Sequence, residues 1–169
     1  MILEYSRVLL LVVLAVAVIT DVRTGKIKNW LTLPAIAAGL IVHLTLGGIP
    51  EFLTSFYGFG VMAVCAMILW SLGILGGGDV KLLGAVGALA GLNLVASVLL
   101  YGAIAGGILA IIVLVWRRRT KAVTKKLAQA AWMRLSLRVG SMDGIKTGMK
   151  IPYSIAIAAG TVAAMLRPF

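Results

Sequence analysis

The sequence predicts an all-α protein that crosses a membrane several times, and three observations support this prediction. Of its 169 residues, 62% are hydrophobic and only 12% are charged, with a mean hydropathy of +1.10. A soluble protein could not hide so much apolar surface. Apolar runs near the length that a membrane-spanning helix needs recur along the chain. Between them, Lys and Arg are concentrated in a few loops, which is typical of loops on the inner side of a membrane.

About six segments are predicted to span or partly span the membrane. The first is a retained helix rather than a signal peptide, because its apolar run continues to Thr20 with no small-residue cleavage site after it. Asn29 and Trp30 are typical of a cap and an interfacial anchor at the start of the second. The stretch from Leu82 to Trp116 is too long for one crossing, so a turn is predicted at 91–93. The segments are 3–20, 30–46, 52–75, 80–92, 94–116 and 151–166.

The loop charges predict one orientation for these segments. Of the 16 Lys and Arg residues, 14 lie in the loops after the first and fifth segments or in the first turn of the fourth. The positive-inside bias therefore places these regions in the cytoplasm and both termini outside. The net charge of +11 then reflects topology, so we expect no nucleic-acid partner.

The long basic loop, residues 117–150, carries ten cations and one acid, Asp143. Apolar residues recur every four positions from Val123 to Val139, which predicts a basic amphipathic helix on the inner leaflet that binds anionic lipid. A substrate-contacting role is the alternative. We expect residues 1–169 to form a single membrane-embedded domain that includes this loop.

Two of the five acids are predicted to share one depth in the membrane. Glu4, Glu51 and Asp143 are expected to be solvated, whereas Asp21 closes the first segment and Asp79 precedes the fourth. Ionisable groups inside a membrane are by default functional candidates. Two carboxylates at one site can hold a single proton between them, so that one accepts a proton from water while the other donates. Such chemistry needs neither a metal nor a cofactor, and we expect none.

Gly76, Gly77 and Gly78 precede Asp79 in "GGGDVKLL". Without Cβ atoms they permit positive φ angles and close approach of an extended peptide. A plain turn with Asp79 capping the next helix is the alternative. Lys81 and Arg23 each lie two residues after an aspartate; they either tune its pKa or meet lipid phosphates. We predict that site-shaping or substrate-binding residues accompany the aspartates, namely Gly76, Gly77, Gly78, Lys81, Arg23 and Asn29.

The motifs "DVRTGKIKNWLTLP" and "GGGDVKLLGAVGAL", with the ending "KIPYSIAIAAG", resemble the type IV prepilin peptidases, the bacterial branch of the GxGD membrane aspartyl proteases. The resemblance implies that Asp21 and Asp79 are the catalytic pair. Lys28 stands where the family usually has proline. The chain lacks the N-terminal cytoplasmic region with paired CxxC motifs, so we do not expect methyltransferase activity. Its short architecture is similar to that of the minimal peptidases of tight-adherence (Flp-type) pili.

The resemblance implies hydrolysis of a prepilin or pseudopilin leader peptide at the cytoplasmic face of the bacterial inner membrane. Two other classes remain open from the residues. A small proton-coupled transporter could use both carboxylates as a relay, although they lie at one edge of the membrane rather than at its midplane. A non-enzymatic scaffold could dock an acidic partner on the basic loop, but would not explain the glycine-rich aspartate.

Overall fold

Five helices form the part of the chain that the computed structural model describes, residues 2–116 and 153–167. They are α1 (Ile2–Thr24), α2 (Asn29–Ser71), α3 (Gly77–Ala90), α4 (Leu92–Trp116) and α5 (Tyr153–Leu166). No strand occurs in these residues, and the all-α prediction is confirmed. The basic loop at 117–150 lies outside the described residues. The chain divides into two compact units, residues 1–106 with 152–169 and residues 107–151. The side-chain contacts described below lie within the first unit.

Three stretches are long and apolar enough to cross a membrane, namely Glu4–Thr24, Asn29–Ser71 and Leu92–Ile112. The chain is therefore a membrane protein, while the number of crossings stays a prediction. α3 has 14 residues and is about 21 Å long at 1.5 Å per residue, shorter than the roughly 30 Å of a bilayer's hydrocarbon core. This agrees with the short fourth segment expected from the sequence.

The second and third predicted segments form the two arms of α2, with a kink where a longer loop was expected. Gly48 has φ 68° and ψ −163°, a conformation that glycine adopts without the strain a Cβ would cause. Pro50 follows in the first turn of the second arm, where its missing amide hydrogen costs little. The predicted third segment also ran too far, since α2 ends at Ser71. The turn predicted at 91–93 falls at Gly91, which has φ 70°.

α3 is the central helix, with every residue from Leu82 to Ala90 buried, as expected for a helix that is apolar on all sides. Both arms of α2 pack against it. In the first arm Gly39 lies against Ala88, and in the second Gly58 lies against Gly87. A Cβ on Gly58 would come within 2.5 Å of the Gly87 carbonyl oxygen, so this contact requires two glycines.

A buried histidine joins three helices at the end of the bundle opposite to the start of α3. His43 is 2% exposed, and its Nε2 lies 3.3 Å from the Ser6 hydroxyl of α1 and 3.3 Å from the Leu89 carbonyl oxygen of α3. Its Nδ1 lies 3.6 Å from Glu51 in the second arm of α2. Glu51 was expected to be solvated, and its side chain is 43% exposed although it lies beside this histidine.

Candidate active site

An open cavity of about 380 Å³ lies where α1 ends and α3 begins. It contains both Asp21 and Asp79, although 58 positions separate them in the sequence. The segment between α1 and α2 also lines the cavity. The two sequence motifs that contain the aspartates therefore both contribute to its wall. The lining residues are Asp21, Gly25, Lys26, Ile27, Asn29, Gly76, Gly77, Gly78, Asp79 and Lys81.

Asp21 lies in the last two turns of α1 and is half-buried. The hydroxyl of Ser154 donates a hydrogen bond of 2.6 Å to its Oδ2. Ser154 is fully buried and belongs to the first turn of α5. Sequence reasoning missed this residue, because a serine in an apolar helix is common and nothing in its local pattern points to an aspartate 133 positions away.

Asp79 lies in the first turn of α3 and precedes the apolar segment 80–92. The backbone N–H of Gly76 donates to its Oδ2 at 3.1 Å. Asp79 therefore does cap α3, as the alternative reading held, because this bond satisfies the backbone N–H of the residue at the helix start. The same carboxylate also lines the cavity. Among the described residues, each aspartate thus has its Oδ2 held by one donor.

Burial raises the pKa of Asp79 from 3.8 to about 6. Removal from water disfavours the charged carboxylate and is the largest cause, the Gly76 hydrogen bond opposes it, and the charge of Asp21 raises the pKa further. Asp79 therefore keeps its proton to a higher pH than an ordinary aspartate does.

Gly76 and Gly78 act through close packing, and none of the three glycines has an unusual backbone angle. Among the described residues, positive φ occurs at Gly25, Gly48, Gly73 and Gly91; the expectation that Gly76 to Gly78 use positive φ is wrong. Gly76 is extended, with φ −82°, and Gly77 begins α3. A Cβ on Gly76 would lie 3.1 Å from Oδ2 of Asp79, and one on Gly78 would lie 3.1 Å from Cβ of Ile27. Side chains here would crowd the aspartate and the α1–α2 link.

Lys81 and Asn29 line the cavity together. The Lys81 Nζ donates to Oδ1 of Asn29 at 2.7 Å, which ties the first turn of α3 to the first turn of α2. The expectation that Asn29 caps α2 is wrong, because the cap position is Lys28, without a side-chain cap bond, and Asn29 is already helical. Arg23 is exposed in the last turn of α1 and does not line the cavity.

Within the described residues, no group of three or more His, Cys, Asp or Glu side chains is arranged to hold a metal ion. The chemical groups that the cavity offers are two carboxylates, two lysines and an amide. The cavity is wide enough for part of a peptide, since ligand sites typically have volumes of about 300–1,000 Å³.

The fold and the site thus define a helical membrane protein in which two aspartates share one open cavity. Residues 8–111 match the type IV leader peptidase family. This match covers more than half of the chain and includes both aspartates, so the chain belongs to that family and is a peptidase. No curated protein and no solved structure matches it.

Proposed function

We propose that this peptidase removes the short basic leader peptide of type IV prepilins or prepilin-like proteins at the cytoplasmic face of the bacterial inner membrane. The observation that carries the proposal is the meeting of Asp21 and Asp79 in one cavity, within the matched region of the family. A prepilin carries its basic leader directly before an apolar membrane helix. The scissile bond would then lie at the membrane edge where the loop charges are expected to place both aspartates.

Asp79 is the acid of the pair in this proposal, because its raised pKa favours the protonated form. Asp21 takes a proton from a water molecule, whose oxygen attacks the carbonyl carbon of the scissile bond, while Asp79 gives its proton to the carbonyl oxygen. In the resulting diol, Asp21 returns its proton to the amide nitrogen as the carbon–nitrogen bond breaks. One hydroxyl of the diol then gives its proton back to Asp79, which restores the starting state.

Several features of the cavity support an extended peptide as substrate. Its wall contains four glycines and so leaves backbone accessible for hydrogen bonds. The Lys81–Asn29 pair lies at the same wall and offers polar contacts to the peptide chain. We further propose a minimal peptidase of the Flp type, without methyltransferase activity, whose loop 117–150 binds anionic lipid.

The test is cleavage of a candidate prepilin by the purified protein in liposomes. Asp21→Asn and Asp79→Asn should each abolish cleavage while the protein remains folded, and Glu4→Gln should cleave at the wild-type rate, because Glu4 is an exposed carboxylate at the start of α1. Cleavage by either aspartate variant at the wild-type rate would exclude the paired mechanism. Proton flux without cleavage of any prepilin would favour a transporter.

A further inference from the structure

The first turn of α5 contacts the site through Ser154. Its hydroxyl donates to Oδ2 of Asp21 at 2.6 Å. The preceding residue, Tyr153, is half-buried. The matched family region ends at residue 111, so both residues lie outside it. α5 therefore supplies a hydrogen bond to a site whose aspartates come from α1 and α3.

We propose that Ser154 is a positioning residue, whose hydroxyl fixes the Asp21 carboxylate so that Oδ1 faces the attacking water. This inference rests on the proposed function. The Asp side chain turns easily about its last bond, because rotation next to a planar carboxylate has broad minima. A hydrogen bond to a charged carboxylate is stronger than one between neutral groups and also sets its direction. Because Ser154 is fully buried, water does not compete for its hydroxyl.

The two aspartates are held in parallel ways but by different kinds of donor. The Gly76 donor to Asp79 is a backbone amide, which no substitution other than proline removes. The Ser154 donor to Asp21 is a hydroxyl, which Ser154→Ala removes with the loss of one atom. Ser154→Ala therefore tests whether the orientation of the Asp21 carboxylate matters, without changing either aspartate.

Ser55 provides a matched control for this substitution. It is also a fully buried serine, and its hydroxyl donates at the same distance of 2.6 Å, but to the backbone carbonyl of Ala88 in α3. It does not line the cavity. Ser55→Ala therefore removes an equally short buried hydrogen bond away from the aspartates.

The first measurement compares the kcat and KM of prepilin cleavage. Ser154→Ala should lower kcat by about ten- to hundredfold with KM within about twofold, since the lost bond orients a reacting group and does not bind substrate. Ser154→Thr, which keeps the hydroxyl, should recover most of the rate, and Ser55→Ala should stay near wild type. An unchanged kcat in Ser154→Ala would overturn the proposal. So would an equal loss in Ser55→Ala, or a folded Ser154→Thr as slow as Ser154→Ala.

The second measurement needs no substrate and remains decisive if Ser154→Thr does not fold. Thermal unfolding in detergent is compared for Asp21→Ala, Ser154→Ala and the double variant. Ser154→Ala should lower the Tm when Asp21 is present and should not lower it in the Asp21→Ala background. An equal loss in both backgrounds would show that Ser154 acts without Asp21. If the wild type cleaves no prepilin, the proposed function fails, while this cycle still reports on the contact.

Discussion

Asp79→Asn should make the protein more stable while removing its activity. The folded protein holds the pKa of Asp79 at about 6 instead of 3.8, so the folded state binds the proton more tightly than the unfolded state does. The stability that this proton contributes is fully present below about pH 4 and is lost as the pH rises through about 6. One pKa unit is equivalent to about 1.4 kcal/mol, so the ionised Asp79 carboxylate costs about 3 kcal/mol of folding free energy at pH 8.

Asparagine has the same shape and no charge, and its oxygen can still accept the hydrogen bond from Gly76. Asp79→Asn should therefore raise the Tm of the protein by several degrees at pH 8. The gain should fall by roughly half at pH 5, where much of the wild-type carboxyl is protonated. The assay is thermal unfolding in one detergent at both pH values, with Glu4→Gln as the exposed-carboxylate control. A Tm gain that is equal at both pH values, or a Tm loss at pH 8, would refute the destabilisation assigned to the ionised Asp79 carboxylate.

Three further predictions follow from the same packing and charges. Prepilin cleavage should increase as the pH falls from 8 to 6, because the protonated fraction of Asp79 rises from about 1% to about half; a rate that is flat over this range, measured as kcat/KM, would contradict its role as the acid. Gly58→Ala and Gly87→Ala should each lower the Tm strongly, whereas Gly60→Ala in the same arm of α2 as Gly58 should not, because nothing lies within 4 Å of a Cβ there. His43→Ala should destabilise the protein by roughly 3 kcal/mol in thermal or denaturant unfolding, since it removes buried contacts to α1 and α3. An unchanged free energy of unfolding would show that these contacts do not stabilise the fold.

The pairing of Asp21 with Asp79 could be predicted because it depends on a property of the whole chain. Loop charges place the end of the first segment and the start of the fourth at one membrane face, and only a few residues are available there to carry chemistry. The same reasoning could not find Ser154. Its contact depends on how α5 packs against α1, and a single hydroxyl in an apolar helix leaves no pattern in the sequence.

Two local predictions, the cap of α2 and the loop before the third predicted segment, failed because a neighbouring residue took the expected structural role. Asn29 has a strong preference for cap positions, but α2 starts one residue earlier, with Lys28 at the cap, and Asn29 then accepts a bond from Lys81. Likewise a loop was expected at 47–51, between the second and third predicted segments, but one glycine with a positive φ, Gly48, changes the chain direction. Residue preferences indicate that a helix cap or a turn is needed nearby, but not which of several neighbouring residues will form it.

The hydrogen bond between Ser154 and Asp21 also bears on when the enzyme becomes complete during its synthesis. The ribosome makes Asp21 and Asp79 early, whereas the serine follows Asp21 by 133 positions. A nascent chain that has already inserted both aspartates lacks the hydroxyl that holds one of them. The peptidase therefore reaches its working arrangement only when its last described helix has joined the bundle, after the rest of the site has entered the membrane.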